Sequence, residues 1–328
     1  MSEPVPTQSR FGYPLDVPNR QIVRRSMLIM PVNVPGFIAK AHLRGADAIV
    51  LDLEDSIPPK EKDRARALVK PAIAEVGRGG ADVLVRINQP WALQEQDLEA
   101  IVWPGLAGIN YPKPETVEEF QRIDEAITRL EKERGIKPGT VRIGTSIESV
   151  AGFFNVRELA TATPRLIAIG LGSEDFTLDL EIEPTDEGTE LYYGKLFMVL
   201  LARQAGLYPM GTMRSIANFK DTEGQQLAIH TARTVGYRGS SCIHPMTVPL
   251  LNEGFSPTTQ EVEHARRVIE VYDEAEAQGR ASVALEGKMI DIPVAERALR
   301  VFARAERVAA FEARKQSALV ACGEVEAT

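Results

Sequence analysis

The chain has 328 residues and a formal net charge of −8. This acidic balance argues against a nucleic-acid-binding surface and leaves room only for a local basic pocket that binds an anionic ligand. Hydrophobic residues make up 44% of the chain and charged residues 26%, which predicts a sizeable core and excludes wholesale disorder. The two cysteines, Cys242 and Cys322, exclude a disulfide scaffold and fit a reducing compartment.

The N-terminal residues 1–22 are predicted to form a flexible arm, because the first 20 residues carry four prolines and no periodic pattern. The first ten residues, MSEPVPTQSR, lack the apolar segment of a secretory signal. No apolar run elsewhere approaches the roughly 20 residues that span a bilayer. We therefore expect a cytoplasmic protein without a membrane segment.

Short apolar runs then alternate with longer amphipathic stretches along the chain. Eight runs are predicted to be strands: residues 26–32, 48–54, 82–88, 108–113, 141–148, 166–172, 207–212 and 239–245. The clearest helical patterns between them cover residues 60–76, 117–133 and 188–206. Alternation of this kind indicates βαβ units and a parallel sheet.

Eight such units are the number that closes a (β/α)₈ TIM barrel, which we predict over residues 23–258. A doubly wound open sheet is the alternative, but it usually has fewer strands and a glycine-rich phosphate-binding motif. Residues 259–328 follow the eighth strand and contain two helical patterns, at 261–279 and 293–315. This C-terminal helical extension must pack outside the barrel, cover one end of it or reach a neighbouring subunit.

Polar side chains follow at least six of the predicted strands, at the ends where parallel barrels carry their active sites. They are Asn33, Asp52, Glu54, Asp55, Arg86, Asn88, Lys113, Glu148, Glu174, Asp175 and His244. A single acid in such a position commonly caps the next helix. Acids on neighbouring strand ends repel one another, however, and a partly desolvated cluster needs a cation. Oxygen ligands without a histidine cluster favour Mg²⁺ over zinc or iron.

The remaining candidates have competing interpretations. Arg86 either pairs with one of the acids or offers its planar guanidinium to a substrate carboxylate or carbonyl. The stretch GLGSED (170–175) lacks the third glycine of a dinucleotide motif, and its glycines are instead expected to free backbone N–H groups for an anion. Cys242 is predicted to pack in the core, and Asp291 alone would be assigned to a surface turn before Pro293.

Taken together, the motifs resemble the citrate lyase β-subunit-like enzymes of the HpcH/HpaI aldolase superfamily, which include malyl-CoA and citramalyl-CoA lyases. The similarity runs from about Arg24 to Arg307. Its motifs, in order, are RRSMLIMPVN, GADAIVLDLEDSIPPKEKDRAR, VLVRIN, YPKPET, SIESVAG, IGLGSEDF, FKDTEG, SSCIHP, NEGFSP and GKMIDIP. The resemblance implies a TIM barrel that uses Mg²⁺ to cleave a β-hydroxyacyl-CoA into an acyl-CoA and an α-keto acid by retro-Claisen chemistry.

The resemblance also implies roles for individual residues. Glu148 and Asp175 would be the metal ligands, and Glu54 and Asp55 would hold metal-bound waters. Arg86 would bind the keto-acid oxygen or carboxylate and take part in catalysis. Glu148, Gly172, Ser173 and Glu174 would also contact the substrate, and the N–H groups from Gly172 to Asp175 would bind its carboxylate. Lys40, Ile243 and His244 would contact coenzyme A.

Asp291 would be the catalytic acid/base, delivered by the C-terminal extension to the site of an adjacent subunit. A trimer or hexamer is therefore expected, with a CoA thioester as the other partner. Asp52, the remaining acid of its strand end, is assigned a structural role.

The chain departs from the family pattern at Val32, Gly36 and the segment Gly211 to Arg214, which concern the acyl and CoA contacts. Two other functions remain open. One is an aldolase that acts on free hydroxy-keto acids, and the other is a β-type subunit that works only within a citrate lyase complex.

Overall fold

A computed structural model describes residues 21–325, so nearly all of the predicted arm of residues 1–22 lies outside the described part. The described chain divides into two compact units. One comprises residues 24–255 with 315–325, and the other comprises residues 21–23 with 256–314.

The first unit is built on eight parallel strands. They are β1 (Ser26–Pro31), β2 (Ala48–Asp52), β3 (Asp82–Arg86), β4 (Gly108–Pro112), β5 (Arg142–Ile147), β6 (Leu166–Leu171), β7 (Tyr208–Met210) and β8 (Ser240–Cys242). Their order is β7-β6-β5-β4-β3-β2-β1-β8, and a parallel bridge between Met210 and Gly239 joins the two ends. The structure confirms the predicted TIM barrel with its eight strands.

The helices of this unit lie between the strands. They are α1 (Pro35–Ala41), α2 (Lys62–Gly77), α3 (Trp91–Ile101), α4 (Val117–Glu133), α5 (Val150–Phe154), α6 (Val156–Leu159), α7 (Ser173–Asp179), α8 (Tyr192–Gln204), α9 (Thr222–Val235) and α10 (Thr247–Gly254). Helix α4 shows why they form. Thr116 and Glu119 make a reciprocal capping box at its start, and its buried Phe120, Ile123 and Ile127 recur at helical spacing on one face.

Burial explains the strand pattern. All five residues of β2 are buried, as expected for a parallel strand covered on both faces. Strand β2 pairs in register with β1 and β3, so that Asp52 lies opposite Pro31 and Arg86. The end of β2 therefore brings a carboxylate directly beside the guanidinium that ends β3.

The second unit contains the C-terminal extension. Helix α11 (Thr259–Ala277) is followed by the antiparallel pair β9 (Val283–Leu285) and β10 (Lys288–Ile290), and then by α12 (Ile292–Ala321), whose last residues belong to the barrel unit. Val268 and Tyr272 of α11 pack with Ile290 and Ala295 in a small apolar core. Within residues 21–325, no helix is both long enough and apolar enough to cross a membrane.

Candidate active site at the carboxyl ends of the barrel strands

A cavity of about 320 Å³ opens among the carboxyl ends of the barrel strands. Its wall contains many of the predicted site residues, namely Asp55, Arg86, Glu148, Gly172, Ser173, Glu174, Asp175 and Ile243. Small residues of the strands, among them Gly144, Ala168 and Gly170, continue the wall into the barrel. Eight predicted residues from the ends of five strands, β2, β3, β5, β6 and β8, therefore share one concave surface, which is the usual place for a TIM-barrel active site.

Arg86 is held by the acids that end β2. Its Nε and Nη2 atoms donate to the two carboxylate oxygens of Asp52, each at 2.7 Å, and the Asp52 side chain is fully buried. Asp52 also accepts hydrogen bonds from the Ser56 hydroxyl and the Glu54 amide. The ion pair considered for Arg86 is thus present, and Asp52 has the structural contacts expected of it.

The third nitrogen of this guanidinium faces the other two acids. Nη1 of Arg86 donates to Asp55 Oδ2 at 3.2 Å and lies 2.8 Å from Glu54 Oε2. The latter contact lacks hydrogen-bond geometry, and Glu54 Oε2 is a buried oxygen without a hydrogen-bond partner among the described residues. Burial raises the pKa of Glu54 to about 7, and the charges of Asp55 and Asp52 add to this effect against that of Arg86.

Glu148 follows β5 and is the most strongly perturbed acid of the cavity. Burial raises its pKa to about 8, and the neighbouring carboxylates of Glu54 and Asp175 contribute to the shift. The Lys113 and Arg86 charges oppose it without cancelling it. Two protonated carboxyls near neutral pH, both facing like charge, are the pattern expected of an acid cluster that lacks its cation.

Gly172 is required for the close approach of Glu148 to β6. A Cβ atom added at Gly172 would lie 2.5 Å from Glu148 Cγ and 2.7 Å from its Oε1. The Gly172 N–H donates to the Ile147 carbonyl, so the amides left for a ligand at the start of α7 are those of Ser173, Glu174 and Asp175. Gly172 therefore serves the predicted carboxylate site by packing, while the next three residues present the N–H groups.

The substitution Gly172→Ala is expected to displace Glu148 and to weaken Mg²⁺ binding by about 10- to 100-fold, the usual effect of disturbing a ligand's support. The fold should survive, because the clashing atoms belong to a flexible side chain. Isothermal titration calorimetry measures the change. Gly36→Ala is the matched control, since an added Cβ there meets nothing within 4 Å; equal affinities for both variants would contradict the expectation.

The oxygen-rich donor set fits a hard divalent cation. Within residues 21–325, no three His, Cys, Asp or Glu side chains are gathered closely enough to hold a metal by themselves. Two carboxylates, Glu148 and Asp175, with water and substrate oxygens are nevertheless the ligands that Mg²⁺ commonly takes. The unpartnered Glu54 oxygen, in turn, suits a hydrogen bond from metal-bound water.

The pKa shifts of Glu54 and Glu148 predict a pH dependence. Both groups hold protons in the folded chain well above their ordinary value of 4.5, so the folded state binds more protons than the unfolded state between about pH 5 and 8. The stability of the metal-free protein therefore falls as the pH rises through this window.

A Mg²⁺ ion bound at this site would have to displace these protons, so its apparent affinity would rise over the same range. Thermal unfolding should consequently show a larger Mg²⁺-induced rise in Tm at about pH 8.5 than at about pH 6. A rise independent of pH would contradict the assignment of these two acids.

Of the three predicted coenzyme A residues, Ile243 lines the cavity. Lys40 is exposed near the end of α1, and Ile243 is 47% exposed. The imidazole of His244 stacks on Phe219 with ring centroids 4.4 Å apart, and its Nδ1 accepts from the Met246 amide. Asn88, by contrast, donates to the buried carboxylate of Asp97 and has a packing role.

Three further residues shape this region, and the sequence singled out only one of them, Arg214, as the end of the departure Gly211 to Arg214. Arg214 lines the cavity and is tied to Asp221 and Asp186 by ion pairs of 2.7 and 2.6 Å. The Ser215 hydroxyl hydrogen-bonds Glu174, and Phe219 forms the stack with His244. All three follow the short strand β7, in a segment whose irregular backbone gives no periodic signal.

Asp291 belongs to the second unit. It lies between β10 and α12, where its Oδ1 accepts from the Val294 amide at 3.2 Å. Its backbone carbonyl accepts from Val294 and Ala295. Within one chain Asp291 therefore caps the start of α12, and a catalytic role in a neighbouring subunit stays a prediction.

Comparison with known proteins identifies the family. Residues 25–245 match the HpcH/HpaI aldolase/citrate lyase family. The chain belongs to this family. It is 38% identical to the citrate lyase subunit beta of Escherichia coli K12 over 286 residues, which cover 86% of this chain and 93% of that protein.

A second relative of this HpcH/HpaI family member is the L-malyl-CoA/beta-methylmalyl-CoA lyase of Cereibacter sphaeroides, at 31% identity over 87% of this chain and 96% of that protein. These relatives make the chain a carbon–carbon lyase of the CitE type, as predicted.

Two solved structures share the fold. A CitE protein of Mycobacterium tuberculosis in complex with magnesium, acetoacetate and coenzyme A matches with a TM-score of 0.68 and 24% identity, over 87% of this chain and 99% of that one. A citrate lyase from Burkholderia xenovorans matches with a TM-score of 0.76 and 19% identity, over 90% of this chain and 96% of that one. Both likenesses confirm the barrel architecture.

Proposed function

We propose that the protein is a Mg²⁺-dependent lyase that cleaves a β-hydroxyacyl-CoA of the malyl-CoA or citramalyl-CoA type into an acyl-CoA and an α-keto acid. The observation that carries the proposal is the pair Glu148 and Asp175, which end neighbouring strands in a cavity where burial and like charge raise the pKa of Glu148 to about 8. The malyl-CoA lyase relative and the CitE structure with magnesium and coenzyme A support the same chemistry.

Glu148 and Asp175 would hold the cation, and Glu54 and Asp55 would accept hydrogen bonds from its waters. When bound, Mg²⁺ supplies a Lewis acid that lowers the pKa of the substrate hydroxyl and stabilises the carbonyl oxygen formed from it. The protein contributes the position of the ligands. The close packing of Glu148 on Gly172 fixes one carboxylate before any cation arrives.

Arg86 would orient the keto-acid half of the substrate. Its Nε and Nη2 donate to Asp52, and its Nη1 lies in the cavity wall beside Asp55 and Glu54. A substrate oxygen bound to Nη1 would replace the 3.2 Å hydrogen bond to Asp55. The amides of Ser173, Glu174 and Asp175 would bind the carboxylate of the same half. Because Asp52 holds the guanidinium by two bonds, this donor is in place before the substrate binds.

Cleavage breaks the bond between Cα and Cβ. The hydroxyl carbon becomes the keto-acid carbonyl as the hydroxyl loses its proton, and the electron pair remains on the α-carbon of the acyl-CoA as an enolate. A carboxylic acid must then protonate that carbon, or remove the proton in the condensation direction. Asp291 of an adjacent subunit would perform this transfer.

Asp291→Asn should lower kcat for cleavage by about 100-fold or more, since a positioned proton donor contributes 10²–10⁴-fold. Mg²⁺ affinity should stay within about twofold of wild type, because the variant leaves Glu148 and Asp175 untouched. Asp273→Asn, a change on α11, is the control for loss of charge in the extension. Full activity of Asp291→Asn would remove this residue from the mechanism.

Self-association is proposed because the site needs Asp291 from a second copy. The outer face of the barrel exposes apolar side chains that could serve, with Phe154 79% exposed, Leu178 74% and Tyr193 74%. Phe153 and Phe197 link Phe154 and Tyr193 into one aromatic cluster. Light scattering should give a trimer or hexamer, and a monomer with full activity would contradict the scheme.

Coenzyme A would lie across Lys40, Ile243 and His244 at the rim of the cavity. The exposed Ile243 and the His244–Phe219 stack offer apolar and aromatic surface to it, and Lys40 offers a charge to a phosphate. A substrate of this kind, with two free cysteines, fits the cytoplasm as the place of the reaction.

A second candidate is a β-type subunit of a citrate lyase complex, favoured by the 38% identity to such subunits. An aldolase for free hydroxy-keto acids is the third. One assay separates them: the purified chain is incubated with Mg²⁺ and CoA thioesters, or with the free acids, and release of glyoxylate, pyruvate or oxaloacetate is measured.

Cleavage of a CoA thioester by the isolated chain supports the proposal, whereas turnover of free acids supports the aldolase. Inactivity without an acyl carrier protein, together with co-purification with one, supports the subunit.

A further inference from the structure

Lys113 contacts Asp175 of the cavity wall, and the proposed mechanism gives it no task. It follows the last residue of β4, and its backbone has a φ of 51°, in the left-handed region that residues other than glycine rarely adopt. The side chain is 35% exposed. A strained conformation at a strand end of a candidate active site is a reason to ask what the side chain does there.

The ammonium of Lys113 reaches a predicted metal ligand. Its Nζ lies 2.7 Å from Asp175 Oδ1, although Asp175 follows β6 and Lys113 follows β4, with β5 between them in the sheet. The side chain therefore extends across the strand end that carries Glu148. An ammonium–carboxylate contact of this length is a charge-assisted hydrogen bond.

The surrounding charges explain why the ammonium stays there. Burial lowers the pKa of Lys113, but the hydrogen bond to Asp175 and the charges of Asp175, Glu148 and Glu54 outweigh it and raise the pKa above the ordinary value. These three acids are among the four assigned to the cation and its waters. Arg86, another positive group beside these acids, donates two hydrogen bonds to Asp52.

We infer that Lys113 is the internal counterion of the metal-free site and that its ammonium exchanges with the divalent cation for Asp175. Lys113 is then a positioning residue that acts through Asp175 and sets the affinity for Mg²⁺. The inference rests on the placement of Mg²⁺ at Glu148 and Asp175 in the proposed function.

Two physical consequences follow. In the metal-free protein the ammonium offsets the repulsion among the acids and keeps Asp175 in place. When Mg²⁺ binds, the contact with Asp175 must break, and the flexible stem of the partly exposed lysine can carry the charge towards solvent. The lost contact and the remaining like-charge repulsion both weaken Mg²⁺ binding relative to a site without the lysine.

The test measures Mg²⁺ binding to the full-length, metal-free protein by isothermal titration calorimetry. Lys113→Gln should bind Mg²⁺ about tenfold more tightly than wild type, because the competing charge is gone. Glutamine has a Cβ like lysine, so the backbone strain at this position is unchanged. Lys137→Gln is the matched control: it makes the same charge change at an exposed position before β5, at the opposite end of the barrel, and should alter the affinity less than about twofold.

Thermal unfolding gives a readout that a merely structural lysine would not produce. The Tm of metal-free Lys113→Gln should be lower than that of metal-free wild type, whereas the two proteins should unfold at the same temperature when saturated with Mg²⁺. Loss of an ordinary stabilising contact would lower the Tm equally in both states.

Equal or weaker Mg²⁺ binding by Lys113→Gln would overturn the inference and leave the proposed function standing, as would an equal fall of Tm in both states. Tighter binding without cleavage of any thioester would support the inference and overturn the proposed function. If neither wild type nor Lys113→Gln binds Mg²⁺, the inference and the proposed function are both overturned.

Discussion

Glu148→Gln should abolish Mg²⁺ binding and, at the same time, stabilise the metal-free protein. Glutamine keeps the shape of the side chain beside Gly172 but cannot carry the charge that the cation requires. The affinity should fall by more than about 100-fold, beyond the 10- to 100-fold loss typical of residues that only support a ligand. Cleavage activity should be lost with it.

The gain in stability has an electrostatic cause. Above about pH 8 the folded wild-type chain must ionise a carboxyl whose pKa burial, Glu54 and Asp175 have raised to about 8, whereas the unfolded chain ionises it freely. The variant has no such cost, so its Tm at about pH 8.5 should exceed that of the metal-free wild type by roughly 2–4 °C. Differential scanning fluorimetry with a chelator present measures this difference.

Glu125→Gln is the matched control, since Glu125 is exposed on α4. This substitution should change neither the Mg²⁺ affinity nor the Tm of the metal-free protein. Retention of Mg²⁺ affinity by Glu148→Gln would exclude Glu148 as a ligand. A lower Tm in the variant would show that the carboxylate is stabilised in the folded protein rather than destabilised.

Asp52→Asn should have the largest effect on stability. The Asp52 side chain is fully buried and holds Arg86 by two hydrogen bonds of 2.7 Å. An asparagine would leave the guanidinium without its charge partner and point an N–H group at it. Removing one member of a buried ion pair costs about 3–5 kcal/mol, which denaturant unfolding should show as a large decrease of the midpoint.

The surface offers a control for this substitution. Asp63 pairs with Arg66 at 2.6 Å, but its side chain is 93% exposed, so Asp63→Asn should cost about 0–1 kcal/mol. Asp52→Asn should also impair catalysis, because Nη1 of Arg86 would no longer be held towards the cavity. Similar costs for the two substitutions would show that the Asp52–Arg86 pair contributes no more than a surface contact.

Much of the fold was predictable because parallel strands covered on both faces are continuous apolar runs. The eight predicted strands all occur, with ends shifted by a few residues, as in AIVLD (48–52), where the prediction ran on to Glu54. The predicted strand ends then identified the acids of the cavity from the sequence alone. The alternation of apolar runs predicted the strands, and the position of each acid after a run predicted its place in the cavity.

The pairing of charges within the cavity could not be predicted in the same way. From the sequence, Arg86 could either pair with one of the acids or bind a substrate oxygen. Only the register of β2 against β3 shows that it lies beside Asp52. The contact between Lys113 and Asp175 spans two strand positions and depends on a left-handed backbone angle, which no local pattern in YPKPET indicates. Nor did the helical pattern of the tail show that Lys315 would donate to Asp47 and to the Gly45 carbonyl.

The central claim is that Glu148 and Asp175 hold a divalent cation at the mouth of the barrel. Anomalous diffraction from a crystal soaked in Mn²⁺, an oxygen-binding substitute for Mg²⁺, tests it most directly. One strong peak is expected about 2.0–2.2 Å from an oxygen of each carboxylate, with the Lys113 ammonium withdrawn from Asp175. A peak elsewhere in the cavity, or no peak with the Lys113–Asp175 contact intact, would contradict it.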